Sequence, residues 1–174
     1  MKNFIITAFL AVLFLYTQKS MATENTFHAP QSPAEKTLAH ILELDSQKNS
    51  NIYPFLTKTF GFYPNIKYER LFTKKFIDAI AKNEERLVQE NCDGEYTKGQ
   101  ACGIDINPLT CSQDAPDYYL YKTIKETDQE AFIVFIWPQD INDTKLNIPH
   151  RMKKENGVWK LDGINCFEGY RFNY

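Results

Sequence analysis

The sequence has no Cys-x-x-Cys pair, no Gly-x-Ser-x-Gly elbow and no glycine-rich phosphate loop. Thioredoxin-like redox work, a zinc ribbon, an α/β-hydrolase nucleophile and a nucleotide P-loop each need one of these spacings, so no cofactor or metal is expected from them. An excess of charge of one sign is also missing: 20 Lys and Arg stand against 22 Asp and Glu, for a net −2, with both signs mixed along the chain. A nucleic-acid binder shows a basic face or a high pI, and an interfacial helix shows a basic stripe. Neither a nucleic-acid partner nor a membrane-surface role is expected. No long apolar run follows Tyr16, and internal repeats and low-complexity segments are absent.

What is present begins with the compartment. Lys2 supplies a positive start, Phe4 to Tyr16 is apolar except at Thr7, and Ser20-Met21-Ala22 is a small-x-small cleavage site. The run is shorter than the ~20 residues needed to span a bilayer as a helix. Residues 1–22 therefore read as a cleaved signal peptide, with a mature chain starting at Thr23, no membrane anchor after cleavage and a periplasmic or secreted location. The first cysteine is Cys92, so none near the cleavage site is placed to carry a lipid. Residues 23–174 suffice for one core and are too few for two comfortable domains, so a single α+β domain is expected there, with 23–31 loose.

Four cysteines, Cys92, Cys102, Cys111 and Cys166, lie outside the signal. An even number in an oxidising compartment implies two disulfides, and four cysteines allow three connectivities. Cys92–Cys102 with Cys111–Cys166 is preferred, because the first closes a short loop and the second ties that loop to the C-terminus. The other two pairings stay open.

Ser32-Pro33-Ala34-Glu35 reads as a capping box with Pro at the first helical position. Leu38, Ile41 and Leu42, then Asp45, continue at 3–4 spacing, giving a helix over 33–47. Residues 52–66 are aromatic and broken by Pro54, Gly61 and Pro64, which predicts an irregular packed connection. A second helix is expected over 68–90. Leu71, Phe72, Phe76, Ile77, Ile80, Leu87 and Val88 would face inward, with Lys74, Lys75, Lys82, Glu84, Glu85 and Arg86 on the wet face. From 91 to 117 runs a long loop holding three cysteines, a length that needs something to tie it down.

Strands are expected at 118–125, at 130–137 and on either side of Asn156-Gly157. Glu130 to Trp137 is apolar on both faces, as in a strand covered on both sides. Asn156-Gly157 predicts a two-residue type I′ turn between strands 146–155 and 158–166. That register sets Met152 against Leu161, Arg151 against Asp162 and His150 against Gly163. His150, Met152, Trp159 and Leu161 then share an apolar face; Arg151, Lys153, Lys160 and Asp162 share the polar one. Pro149 predicts a bulge or an edge nearby. Two helices followed by an antiparallel meander make an α+β arrangement of helices on a sheet.

The order of these motifs resembles a family of small exported bacterial proteins, domain-of-unknown-function family 3828. The resemblance covers residues 33–166. It rests on Asp105-Ile106-Asn107-Pro108-Leu109 with Ser112-Gln113-Asp114, then a strand pair, then Asn156-Gly157-Val158-Trp159-Lys160-Leu161-Asp162-Gly163-Ile164. It implies a cone-shaped, cystatin-like fold related to nuclear transport factor 2 and the SnoaL-like proteins, with two N-terminal helices on a curved antiparallel sheet. It carries over no catalytic residue.

Several constellations invite a function. A cysteine with His150 and Asp162 has the order of some cell-wall peptidases. The hairpin register, however, puts Asp162 on the face opposite His150, and paired cysteines leave no thiolate. Asp140-Ile141-Asn142-Asp143 starts like a calcium loop without its later glycine and glutamate. Asp105, Asp114 and Asp117 read as turn caps rather than as a metal site. His150 stands out, on the face where related folds keep a cavity; a lone histidine there is more often a core residue than an acid–base group. His150, Met152, Trp159 and Leu161 are the candidate cavity residues. Glu95, Tyr96, Lys98 and Gln100, between Cys92 and Cys102, are the candidate interaction loop. The favoured expectation is a non-enzymatic binding protein, an inhibitor or immunity-type partner of an envelope protein. A small-ligand carrier or an enzyme using an aromatic cavity is the alternative.

Overall fold

The structure, a computed structural model, describes residues 26–59, 66–113, 116, 118–138 and 148–166. Among the described residues four helices, α1 (Pro33–Ser46), α2 (Ile52–Thr57), α3 (Ile66–Glu69) and α4 (Lys74–Cys92), precede four strands, β1 (Leu120–Glu126), β2 (Glu130–Ile136), β3 (His150–Glu155) and β4 (Val158–Ile164). The strands form one antiparallel sheet in chain order. The expected signal peptide, residues 60–65, the calcium-like segment 140–143, Leu146, Asp114 and Asp117 lie outside the described residues.

Helix α1 starts as its sequence dictates. Ser32 Oγ accepts from the Glu35 N–H, and the Glu35 carboxylate accepts from the Ser32 N–H at 3.1 Å and from the Gln31 N–H at 2.8 Å. The box reaches further than local spacing shows. The other carboxylate oxygen of Glu35 takes the Thr123 hydroxyl of β1 at 2.7 Å, and Glu35 is 1% exposed. One side chain thus caps a helix and fastens it to the sheet. Ala34, Leu38, Ile41 and Leu42 enter the core behind it.

Two expectations about helices need correction. Residues 52–57, expected to be irregular, form α2; Pro54 falls in its first turn, where a missing N–H costs nothing. The single helix over 68–90 is instead two, α3 and α4, separated by residues 70–73. There the chain leaves helical geometry to pair with β4: the Thr73 N–H donates to Leu161 O at 3.0 Å and the Leu161 N–H to Leu71 O at 2.8 Å. Thr73 then caps α4 by accepting from the Phe76 N–H. Tertiary hydrogen bonds to a sheet edge outweigh the helix propensity of these four residues.

The opposite edge is covered as well. Residues 26–31, expected to be loose, include His28, which exchanges two backbone hydrogen bonds with Tyr121 of β1 at 2.9 and 2.7 Å. Neighbouring segments therefore cover part of each outer strand.

The hairpin forms at Asn156-Gly157 with φ of 52° and 81°, the paired positive values a type I′ turn requires. Pairing follows the expected register from Glu155↔Val158 to Met152↔Leu161 and then slips: Arg151 faces Gly163 and His150 faces Ile164. A β-bulge at Asp162 absorbs the extra residue, close to where Pro149 predicted an irregularity. Its consequence is packing. Leu161 and Ile164, three apart, both reach the core at 0% exposed. Unbulged alternation would turn Ile164 outward, forfeiting roughly 1.5–3 kcal/mol of burial. The core joins these residues with Ile133, Phe135 and Met152 to Leu38, Ile41, Ile52, Leu56, Phe72, Phe76 and Ile80 of the helical segment. β2 is buried on both faces, as its composition predicted.

Candidate functional site

The long loop is tied by two disulfides, Cys92–Cys102 and Cys111–Cys166, with no free cysteine. The first closes the C-terminal end of α4 onto the loop. Asp93 ends that helix in the left-handed conformation at φ 53°, with Gly94 at φ 90° behind it, and the Gly94 N–H reaches back to Val88 O. The chain then turns outward. Every residue from Asp93 to Ala101 is exposed, including Glu95, Tyr96, Lys98 and Gln100.

Exposure here does not mean slackness. The Tyr96 hydroxyl donates to the Glu84 carboxylate, whose other oxygen accepts from the Ile104 N–H at 2.6 Å. Asn91 Nδ2 donates to Cys102 O at 3.1 Å, and the Gln100 N–H to Thr97 O at 3.1 Å. Glu84, expected on the wet face of its helix, is 2% exposed. It is buried because the loop folds over it, a contact no helical periodicity encodes. Gly103 permits the approach: a β-carbon there would overlap the Glu84 carboxylate. Tyr53 completes the cluster, donating to Ile104 O at 2.6 Å. Burial, then the charges of Glu84 and Asp105, push its phenol up to about 12. Burial, followed by the hydrogen bond to Glu84, raises the Tyr96 phenol too. Both tyrosines therefore serve as neutral donors, and a carboxylate with two donors holds the base of an exposed loop.

The second candidate group lies deep. His150, Met152 and Leu161 are 0% exposed and Trp159 is 7%. All four are packed into the core, and none lines the cavity found beside Trp137. His150 sits at 2.9 Å from Ile148 O through Nδ1 and at 2.8 Å from Leu109 O through Nε2, with the Phe135 ring at 4.6 Å. Burial pushes the imidazole down to about 4, over the opposing pull of the two carbonyls. A neutral ring donates through one nitrogen only, so one carbonyl takes the N–H and the other does not. The residue joins β3 to the loop around Leu109. Asp162, the other member of the peptidase-like order, is engaged elsewhere, with Arg151 and the Thr73 hydroxyl.

His40 is exposed beside Glu43, and His28 lies 3.9 Å from Glu35. Asp105 lies near Tyr53, and Asp45 accepts from Asn107 Nδ2. Burial raises the Asp45 carboxyl in spite of that bond. Among the described residues no group of three or more His, Cys, Asp or Glu side chains is placed to hold a metal, and no helix is long and apolar enough to cross a membrane. Compared with known proteins, the chain matches no family model, no curated protein and no solved structure.

Proposed function

We propose that this chain is an exported, periplasmic or secreted binding protein without catalytic activity, an inhibitor or immunity-type partner of an envelope protein, and that the Cys92–Cys102 loop makes the contact. The observation that carries this reading is an exposed loop whose ends are tied. The residues between the two cysteines face solvent, while the disulfide and the Glu84 cluster hold the ends of the loop. A loop already held in one conformation loses little entropy on binding, which is what a rigid inhibitory or recognition loop requires. The apolar start of the chain and the paired cysteines support export. The order of motifs supports kinship with family 3828 and its cone-shaped, cystatin-like fold, and the four-stranded meander packed against helices fits that kinship.

Capture from an envelope extract tests the loop. Wild type and the triple variant Glu95→Ala, Lys98→Ala, Gln100→Ala serve as baits, with Tyr96 left in place because it anchors Glu84. The expected result is a partner retained by wild type and lost by the variant, with circular dichroism unchanged. Equal retention by both would place the contact elsewhere.

A further inference from the structure

The two sulfurs of the Cys92–Cys102 bond sit in unlike surroundings. Cys92 is the last residue of α4 and is half-buried, whereas Cys102 is 2% exposed. A thiolate arriving from solvent therefore meets Cys92 Sγ. The polar groups around the two also differ. The Thr97 N–H points at Cys102 Sγ at 3.3 Å, closer than the Glu95 carbonyl at 3.9 Å. Cys92 Sγ instead lies 3.4 Å from the side-chain carbonyl of Gln100 and ends a 19-residue helix, whose dipole opposes negative charge there. Negative charge is favoured on Cys102 and opposed on Cys92. In thiol–disulfide exchange the attacked sulfur must be accessible, and the sulfur that carries negative charge better leaves faster. Both conditions give one direction: attack at Cys92 and departure of Cys102.

Breaking this bond frees a segment on which the core does not depend. Asp93 to Ala101 are all exposed, and none of them belongs to the core cluster. Without the disulfide the loop is held by the bonds of Glu84 to Tyr96 and Ile104 and by that of Asn91 to Cys102 O. An exposed loop with few buried apolar contacts opens at far lower free energy than the core unfolds. Cys111–Cys166 ties the rest of the long loop separately.

We infer that Cys92–Cys102 is a thiol-sensitive switch on the exposed loop, closed when oxidised and open when reduced, with the fold unchanged. The thiolate of a dithiol attacks Cys92 Sγ. A mixed disulfide forms, the Cys92–Cys102 bond breaks, and Cys102 leaves as a thiolate that takes up a proton. The second thiol of the reductant then attacks the reductant's own sulfur in the mixed disulfide, and Cys92 leaves as a thiol. Two electrons and two protons pass to the protein, and the dithiol is oxidised to its own disulfide. Loss of partner binding on opening rests on the role proposed for the loop; the switch itself does not.

Reduced glutathione, incubated with the oxidised protein and quenched in acid, tests the direction. Peptide mapping should find the adduct on Cys92 at least about ten times as often as on Cys102. The double variant Cys92→Ser, Cys102→Ser stands for the open state and keeps Cys111–Cys166. It should retain the wild-type circular dichroism, and trypsin should cut it after Lys98 at least about tenfold faster than the oxidised protein. Wild type reduced with dithiothreitol and freed of it under nitrogen should be cut at the rate of the variant, and reoxidation in air should restore the slow rate. Adducts divided equally between the two cysteines, cleavage after Lys98 no faster in the variant, or loss of the fold in the variant would each overturn the inference. None of these readouts involves a partner, so a failed capture experiment leaves the switch standing.

Discussion

Arg151 of β3 and Asp162 of β4 form an ion pair at 2.7 Å across the sheet, although the bulge sets Arg151 opposite Gly163. The same carboxylate accepts the Thr73 hydroxyl at 2.7 Å, so one aspartate joins two strands to the cap of α4. Its side chain is 6% exposed and that of Arg151 is 17%.

Asp162→Asn should therefore destabilise the fold by about 3 kcal/mol, because it breaks a largely buried ion pair that joins the two strands. Glu90→Ala removes the Arg86–Glu90 pair, in which both side chains are about half exposed, and should cost under about 1 kcal/mol. Urea unfolding of the two variants measures the contrast. Similar losses from both would show that the Arg151–Asp162 pair is solvated.

Stability should fall in acid through His150. Its folded value is lowered to about 4 from an ordinary 6.5, so below pH 6.5 the unfolded chain takes up a proton that the native state refuses. The contribution is full above pH 6.5 and is lost as pH falls towards 4, by up to about 3 kcal/mol. His150→Gln should flatten that slope relative to wild type. Parallel profiles for the two proteins between pH 7 and 4 would assign the acid sensitivity to other groups.

The two disulfides should contribute unequally. Cys111–Cys166 closes 55 residues and Cys92–Cys102 closes 10. Loop-closure entropy makes the first worth about 4 kcal/mol and the second about 3 kcal/mol. Paired cysteine-to-alanine variants, melted side by side, test the order. Thiol titration of the denatured, unreduced protein should find no free thiol.

Glu84→Ala should loosen the loop more than the fold. It takes the acceptor from the buried Ile104 N–H, at about 1–3 kcal/mol. Trypsin should then cut after Lys98 many times faster than in wild type, since local opening of the exposed loop limits cleavage. An unchanged cleavage rate would mean that the Cys92–Cys102 bond alone holds it.

Local rules carried much of the architecture in the sequence. The Ser32–Glu35 capping box, the Asn156-Gly157 turn and the apolar faces of β2 each depend on residues near one another or on strict two-residue alternation, and each is legible one-dimensionally. The break before α4 was not. Leu71 to Thr73 continue a helical pattern, and only the edge of β4 draws them out of it. Exposure of Glu95, Tyr96, Lys98 and Gln100 follows from a polar loop between cysteines, whereas their clamp follows from Glu84, read from periodicity as a solvent-facing residue.

The chain by itself determined its α+β order, its turn and its candidate loop, because capping, φ preference and strand alternation act over a few residues. Tertiary structure alone decided which polar groups were buried together: Glu35 with Thr123, Glu84 with Tyr96, Asp162 with Arg151 and Thr73, and His150 with Leu109. These partners lie from 11 to 89 positions apart, so their pairing appears only once the core has closed and each desolvated donor or acceptor has to find a partner within it.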